Sequence, residues 1–199
     1  MIVAIWAAAI LVAFAIGSIP FGYIVGKTAF DTDLRREGSG NIGAMNALRT
    51  LGKRGAAAVL ILDALKGFVP AFIAVRAGMP ELAACVAAAA VLGHCFSPWL
   101  GWRGGKGVAT SFGAVFAFSW LAGLLTAAAW ALGAGTTRYS SVGSMSGAVL
   151  APVFVWFTTH SPAETIFSAL AALLILYAHR ENIARLRTGN ERAIGAGRK

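Results

Sequence analysis

The chain has 199 residues, of which 58% are hydrophobic and only 13% are charged. A soluble domain of this size carries about a quarter charged residues, so the composition excludes an ordinary soluble protein and predicts several membrane-spanning helices. The formal net charge is +9, and the cations flank apolar runs. This pattern favours membrane orientation and anionic lipid head groups over nucleic acid as the reason for the charge.

The first apolar run covers residues 1–26 and contains no charge, and the first cation after it is Lys27. Because cations collect on the cytoplasmic side of a membrane, the N-terminus is predicted outside and Lys27 inside. Pro20 predicts a kink in the inner third of this span, since proline removes a backbone donor and leaves carbonyl groups without partners.

The first polar segment, residues 27–54, contains glycines at positions 38, 40 and 43. We expect a short interfacial helix here, capped by Ser39 or Asn41 and ending near residues 51–52. Asn46 and Arg49 lie on one face of that helix. A solvated surface helix is the alternative, but the glycines weaken a helix with a purely structural role. We interpret these four polar residues as candidate ligand-binding groups.

The second and third predicted spans are residues 55–76 and 81–99, joined by an external turn. Asp63 and Lys66 lie within the second span, where a charge costs roughly 2.5–3.5 kcal/mol even on mild insertion scales. Two interpretations are open at this point. The residues could shield each other as an i,i+3 pair, or they could face a polar pocket.

A glycine-rich basic loop follows the third span, and it consists of Gly104, Gly105, Lys106 and Gly107. Glycine lets backbone N–H groups approach a ligand, and an ammonium beside a helix start attracts phosphate. The loop is not a Walker A motif, because glycine rather than Ser or Thr follows the lysine. It predicts either a phosphate site or a basic turn that fixes membrane orientation.

Residues 107–137 are uncharged, and as one helix they would run about 46 Å, too long for a hydrocarbon core of about 30 Å. We therefore predict a hairpin of short helices that turns near residues 118–120. Two further spans, 141–157 and 163–178, give about seven transmembrane helices with the N-terminus outside and the C-terminus inside. Of the 17 Lys and Arg residues, only Lys66 and Arg76 then lie away from the inner side.

Two further inner elements carry polar residues. Arg138 lies in a hydroxyl-rich turn, where Ser140 and Ser141 are predicted only as helix caps and Ser144 lies one turn deeper. His179 and Asn182 are three residues apart and would share a face if the last helix continued.

The inner elements together mix cations or histidine with Gly, Ser and Asn, and they offer no metal cage or catalytic triad. Arg49, Lys106 and Arg138 could hold more than one phosphate. We therefore predict a cytoplasmic-face pocket for a phosphate head group whose acyl chain lies in the bilayer. A transporter of a phosphorylated solute is the competing hypothesis, and a structural membrane protein is a third.

Three segments resemble known motifs: residues 38–49, 104–110 and 179–191. In order and spacing they are similar to the three motifs of the bacterial acyl-phosphate-dependent glycerol-3-phosphate acyltransferases, and the resemblance covers essentially the whole chain. Shorter similarities occur at 18–20, 63–67, 93–94 and 137–139. Met45 departs from the family pattern, which usually has Thr there, so a hydroxyl role at that position is in doubt.

The resemblance implies an all-α polytopic membrane enzyme with a single domain over residues 1–199. It would transfer a fatty acyl group from acyl phosphate to the 1-hydroxyl of glycerol 3-phosphate, giving 1-acylglycerol 3-phosphate (lysophosphatidic acid) and phosphate. We expect it in the bacterial inner membrane as a monomer among lipids, with the active site on the cytoplasmic face and without cofactor, metal or nucleic acid.

The resemblance also implies roles for individual residues. His179 or the donor's own phosphate would take the hydroxyl proton, and Glu191 would be structural. The catalytic residues would be Ser39, Arg49, His179 and Asn182. The resemblance places the glycerol phosphate on Gly104, Gly105, Lys106 and Gly107. The pattern of polar residues described above adds Asn41, Asn46, Ser144 and Arg138 as candidate substrate-binding residues.

Overall fold

The computed structural model describes residues 1–195, within which there are α-helices and one short 3₁₀ turn, Pro98–Leu100, but no β-strand. The predicted all-α fold is confirmed for this range, and residues 196–199 of the predicted domain lie outside it. In chain order the helices are α1 (Ile2–Ser18), α2 (Phe21–Phe30), α3 (Ala44–Thr50), α4 (Gly52–Arg76), α5 (Pro80–Cys95), α6 (Val108–Phe118), α7 (Trp120–Thr137), α8 (Ser140–Thr159), α9 (Pro162–Ala178) and α10 (Arg180–Arg187).

The bundle has the surface of a membrane protein. Four segments are long and apolar enough to cross a bilayer, and a fifth is added if α9 and α10, which are bent by 55°, form one span. The four are Ile2–Phe30, Gly52–Arg76, Pro80–Leu100 and Ser140–Thr159. Large apolar side chains such as Ile73, Phe157 and Leu173 point outward from these helices, as lipid contact requires.

The helix is interrupted where a kink was predicted at Pro20, since α1 ends at Ser18 and α2 begins at Phe21. The carbonyl groups beside the break find partners on other elements. Lys66 of α4 donates to the Ile19 carbonyl at 3.1 Å, and the Ser97 hydroxyl donates to the Ser18 carbonyl at 2.6 Å. The broken first span is therefore fastened to α4 and to the turn that follows α5.

The uncharged run after the glycine loop breaks at Ser119, as predicted, and the Ser119 hydroxyl accepts from the Ala122 N–H at 3.3 Å. Helix α6 has 11 residues, about 16 Å, which is roughly half the hydrocarbon core. Its last residue, Phe118, packs edge-on against Phe167 in the second turn of α9. The turn after α6 therefore lies near the N-terminal part of α9.

Two local predictions were wrong. The interfacial helix α3 starts after Gly43 without a side-chain cap, because Asn41 accepts from the Gly43 N–H at 2.8 Å, before the helix begins. The last helix does not continue through His179. It bends there by 55°, with the His179 N–H shared between the carbonyls of Ile175 and Leu176, which tightens the final turn of α9.

The helices approach closely because glycine faces backbone at their contacts. A Cβ atom on Gly17 of α1 would lie 2.3 Å from the Ala90 carbonyl oxygen of α5. A Cβ atom on Gly113 of α6 would lie 2.0 Å from the Ala64 carbonyl oxygen of α4. Alanine-rich faces complete the same contacts, which is the usual way that membrane helices pack.

We expect Gly17→Ala to lower the free energy of unfolding by about 1–3 kcal/mol, since the methyl group meets rigid backbone. The melting temperature of the detergent-solubilised protein should fall accordingly. Gly135→Ala is the matched control, because nothing lies within 4 Å of a Cβ atom there, and it should leave stability unchanged or slightly higher. Equal melting temperatures for the two variants would contradict this account of the α1–α5 contact.

Candidate active site

A cavity of about 770 Å³ lies at the end of the bundle where α3, the starts of α6 and α8, and the α9–α10 bend come together. The four polar elements that the sequence assigned to one side of the membrane all contribute side chains to it. The predicted site residues that line it are Ser39, Asn41, Asn46, Arg49, Lys106, Ser144, His179 and Asn182.

The glycines of the basic loop do not line the cavity. The Gly104 and Gly105 N–H groups donate to the carbonyls of Cys95 and His94, both at 3.0 Å, so they are not free for a ligand. A Cβ atom on Gly104 would lie 1.9 Å from the His94 carbonyl oxygen, and Gly107 has a left-handed backbone with φ of 81°. Two of these glycines thus use their amides within the protein, and the phosphate-binding role of Gly104, Gly105 and Gly107 stays a prediction.

Arg138 also lies outside the cavity lining. It ends α7 in the left-handed conformation, with φ of 63°, and its side chain is exposed. Its carbonyl accepts from the Ile194 N–H at 2.7 Å, so its backbone anchors the C-terminal segment. The cations that do reach the cavity are Arg49, Lys106, Arg185 and Arg192.

Asn46 organises the first polar segment. Its side-chain NH₂ donates to the carbonyls of Leu34 and Glu37, both at 3.0 Å, and its oxygen accepts from the Ser39 N–H at 2.9 Å. Both amide donors are therefore used within the protein. The residue is buried, and its bonds hold the loop that brings Ser39 to the cavity.

A hydrogen-bonded chain connects the basic loop to the C-terminal segment. Lys106 donates to the side-chain oxygen of Asn182, whose NH₂ donates to Glu191 at 2.6 Å. Ser141 donates to the same carboxylate oxygen at 2.8 Å, and Arg185 donates to the other oxygen at 2.8 Å. The prediction that Ser141 is only a helix cap was wrong, since its hydroxyl bonds to Glu191 instead.

Two charged groups of this hydrogen-bonded network, Glu191 and Lys106, have shifted pKa values. Burial acts to raise the pKa of Glu191, but hydrogen bonds from Asn182, Ser141 and Arg185 outweigh it and lower the pKa. Burial, aided by the charge of Arg185, lowers the pKa of the Lys106 ammonium. A cation that has lost its water in this way gains from an anionic ligand.

His179 is buried at the bend between α9 and α10. Its Nδ1 lies 2.8 Å from the Ile175 carbonyl, which can only accept, so Nδ1 carries the proton. Burial, together with the nearby charge of Lys106, lowers the pKa of the imidazole to about 4. At neutral pH the ring is therefore uncharged, and its Nε2 offers a lone pair to a hydrogen-bond donor.

Two buried residues of α4 and α5 that were not among the predicted site residues also border the cavity. Asp63 and His94 line it, and Asp63 forms the predicted ion pair with Lys66 at 2.8 Å, so it is both paired and beside a pocket. Helix spacing offered a signal for Arg185, which lies three residues after Asn182. No local pattern connects Ser141 to Glu191.

The rest of the cavity wall is apolar. Phe112 and Phe116 are four residues apart on one face of α6, and side chains of α4 and α7 flank them. These flanking residues are Leu60, Ala64, Ala127 and Trp130. The cavity therefore has a polar end, rich in cations and neutral donors, and an apolar arm along α6.

Comparison with known proteins gives one consistent result. Residues 7–189 match the family model described as glycerol-3-phosphate acyltransferase. A glycerol-3-phosphate acyltransferase of Rhodopseudomonas palustris (strain HaA2) is 45% identical over 195 residues, covering 98% of each chain. One from Gluconobacter oxydans is 47% identical over 188 residues, covering 91% of this chain and 89% of the relative.

Two crystal structures of PlsY (YgiH), an integral membrane glycerol 3-phosphate acyltransferase, have the same fold. The glycerol 3-phosphate form superposes with a TM-score of 0.90 at 38% identity and covers 96% of each chain. The lysophosphatidic acid form gives a TM-score of 0.88 at 36% identity, covering 96% of this chain and 95% of that one.

We expect Glu191→Gln to lower the free energy of unfolding by about 1–2 kcal/mol and to reduce activity, because Asn182 and Arg185 lose a charged acceptor that is partly open to solvent. The lowered pKa means that the carboxylate stabilises the fold above its ordinary pKa of 4.5 and ceases to do so as the pH falls through the lower folded value.

The stability difference between wild type and Glu191→Gln should therefore be full at pH 7 and shrink below about pH 4.5 in thermal melts. Glu37→Gln, at an exposed site in the first polar segment, is the control and should match wild type throughout. A difference that stays constant with pH would refute the assignment to this carboxylate.

Proposed function

Because the chain belongs to the glycerol-3-phosphate acyltransferase family, we propose that the cavity is its active site. The protein is an integral membrane acyltransferase of phospholipid biosynthesis. It transfers a fatty acyl group from acyl phosphate to the 1-hydroxyl of glycerol 3-phosphate, and the products are 1-acylglycerol 3-phosphate and phosphate. The observation that carries the assignment of the site is the joining of a cationic end to an apolar arm in one cavity.

The two parts of the cavity suit the two parts of the substrates. The apolar arm along α6 would take the acyl chain, with Phe112 and Phe116 against its methylene groups. The polar end would take the head groups. The glycerol 3-phosphate and lysophosphatidic acid forms of the solved relatives support this division, since one ligand is the acceptor and the other the acylated product.

The phosphate of glycerol 3-phosphate would bind to Lys106 and to the first N–H groups of α6. Val108 and Ala109 border the cavity at the start of that helix, where the dipole favours an anion. Arg49 lies across the polar end, beside Ser39, and would neutralise the phosphate of the donor. The helix start and the side chains replace the loop amides that are already bonded within the protein.

Acyl phosphate is a mixed anhydride, so positioning two anions and neutralising their charge supplies most of what the reaction needs. The 1-hydroxyl oxygen attacks the acyl carbon, the bond to the phosphate oxygen breaks, and the hydroxyl proton ends on the released phosphate. An imidazole with a pKa of about 4 is a weak proton acceptor at neutral pH. A phosphate group, with a second pKa of about 6, is a stronger one.

We therefore assign proton transfer to the donor phosphate and orientation of the hydroxyl to Nε2 of His179. Asn182 would hold Lys106 in place through the bond between them. Asn41, Asn46 and Ser144 would shape the polar end, since Asn46 has no free donor and Ser144 donates to the Ser140 carbonyl at 2.9 Å. Met45 borders the cavity without a hydroxyl to offer.

The membrane arrangement follows from the same proposal. We place the N-terminus outside and the polar end of the cavity at the cytoplasmic face of the bacterial inner membrane, where the cations lie. The seven crossings would include the α6–α7 hairpin, with short α6 reaching only part of the way. The chain would act as one domain and as a monomer.

We expect His179→Ala to lower kcat by about 100-fold while the protein remains folded, because the hydroxyl loses its orienting acceptor. Activity is measured as phosphate released from acyl phosphate, and folding as the melting temperature in detergent. His160→Ala, at the exposed turn after α8, is the control. Full turnover by His179→Ala would remove this residue from the mechanism.

We expect Lys106→Ala to raise the KM for glycerol 3-phosphate by roughly 10- to 100-fold, because one charged hydrogen bond to the phosphate is lost. The KM for acyl phosphate should change less, because Arg49 serves that end. Lys53→Ala removes an exposed cation from the same side of the membrane and should leave both constants unchanged. An unaltered KM in Lys106→Ala would break the assignment.

A further inference from the structure

Three side chains beneath the basic loop have no part in the reaction described above. Asp63 and Lys66 of α4 and His94 of α5 are only 1%, 3% and 4% exposed. Lys66 lies 2.8 Å from the Asp63 carboxylate and donates to the Ile19 carbonyl at 3.1 Å. The same carboxylate oxygen lies 3.6 Å from Nδ1 of His94, which has no hydrogen-bond partner.

His94 contacts the basic loop in two ways. Its carbonyl accepts from the Gly105 N–H at 3.0 Å, and its ring covers the same residue. A Cβ atom on Gly105 would lie 2.1 Å from Nε2 of that ring. The ring nitrogen that faces away from Asp63 therefore lies close to Gly105. This arrangement suits support of the loop.

We propose that Asp63 and His94 are positioning residues for Lys106. The carboxylate lies 3.6 Å from the Nδ1 edge of the imidazole, and the ring and carbonyl of His94 hold Gly105, the residue before Lys106. Lys66 balances the charge of Asp63 and ties the group to the break in the first span. The inference rests on the proposed function, because it takes Lys106 as the ligand of the glycerol 3-phosphate phosphate.

The alternative is that these residues only hold α4 against α5. The two interpretations differ in what a substitution changes. Substitution of a residue that acts through Lys106 changes the KM for glycerol 3-phosphate. The same substitution causes no further change in this KM when Lys106 has already been replaced. A residue that only holds helices together lowers the melting temperature and the amount of active enzyme, whichever residue is at position 106.

The first experiment is a double-mutant cycle on the full chain. His94→Asn keeps an amide nitrogen near the position of Nδ1 but loses the contact with Gly105. We expect the KM for glycerol 3-phosphate to rise about 10-fold, with kcat within about 2-fold of wild type. In the Lys106→Ala background the same substitution should leave KM unchanged. His94→Gln, whose longer side chain reaches toward Gly105, should recover most of the loss, and His160→Asn is the control.

The second experiment uses the contact between Gly105 and the ring. Gly105→Ala places a methyl group against His94 and should raise the same KM by about 10-fold. His94→Ala removes the obstacle, so Gly105→Ala should add nothing to the KM of His94→Ala. Gly135→Ala is the control for a glycine with open space around it.

The outcomes separate this inference from the proposed function. If Lys106→Ala raises KM but His94→Asn and Gly105→Ala do not, the positioning role is refuted and the phosphate site stands. The role is also refuted if the His94→Asn effect is equal in both backgrounds, or if only the melting temperature changes. If Lys106→Ala itself leaves KM unaltered, the phosphate assignment fails and this inference fails with it.

Discussion

The arrangement of the bundle depends on one ammonium group within the membrane-spanning region. Lys66 lies between the carboxylate of Asp63 and the carbonyl of Ile19. Either charge alone in hydrocarbon would cost several kcal/mol, and a carbonyl without a donor would add to the cost. Together the groups satisfy one another, so polar atoms that would oppose insertion instead fasten the broken first span to α4.

That fastening sets where polar and apolar surfaces meet. Asp63 of the ion pair and His94 line the cavity, and His94 contacts the basic loop from which α6 starts. In the proposed binding mode one short helix would serve both parts of an amphiphilic ligand. Its N-terminus would face the head group, and Phe112 and Phe116 on its side would face the chain. A longer α6 would not be needed for either task, which is consistent with its 11 residues.

Local rules predicted the features that depend on neighbouring residues. The break at Pro20, the change of helix at Ser119 and the pairing of Asp63 with Lys66 all follow from spacing within a few positions. The motif pattern predicted that separate polar segments would meet, and residues from these segments line one cavity. Contacts between distant segments could not be predicted, as the bond from Ser141 to Glu191 shows, because no local signal carries them. The bend at His179 was missed because helix periodicity alone favours continuation.

The basic loop shows why a motif can identify a site without identifying its contacts. Glycines beside a lysine predict equally well a backbone that approaches phosphate and a backbone that approaches another helix. Here the carbonyls of Cys95 and His94 accept from the N–H groups of Gly104 and Gly105. In the proposed site an anion would be recognised by side chains and a helix start, and a phosphate would share the Lys106 ammonium with Asn182. Binding of the phosphate would then depend on where the surrounding fold holds Lys106, rather than on the number of donors around it.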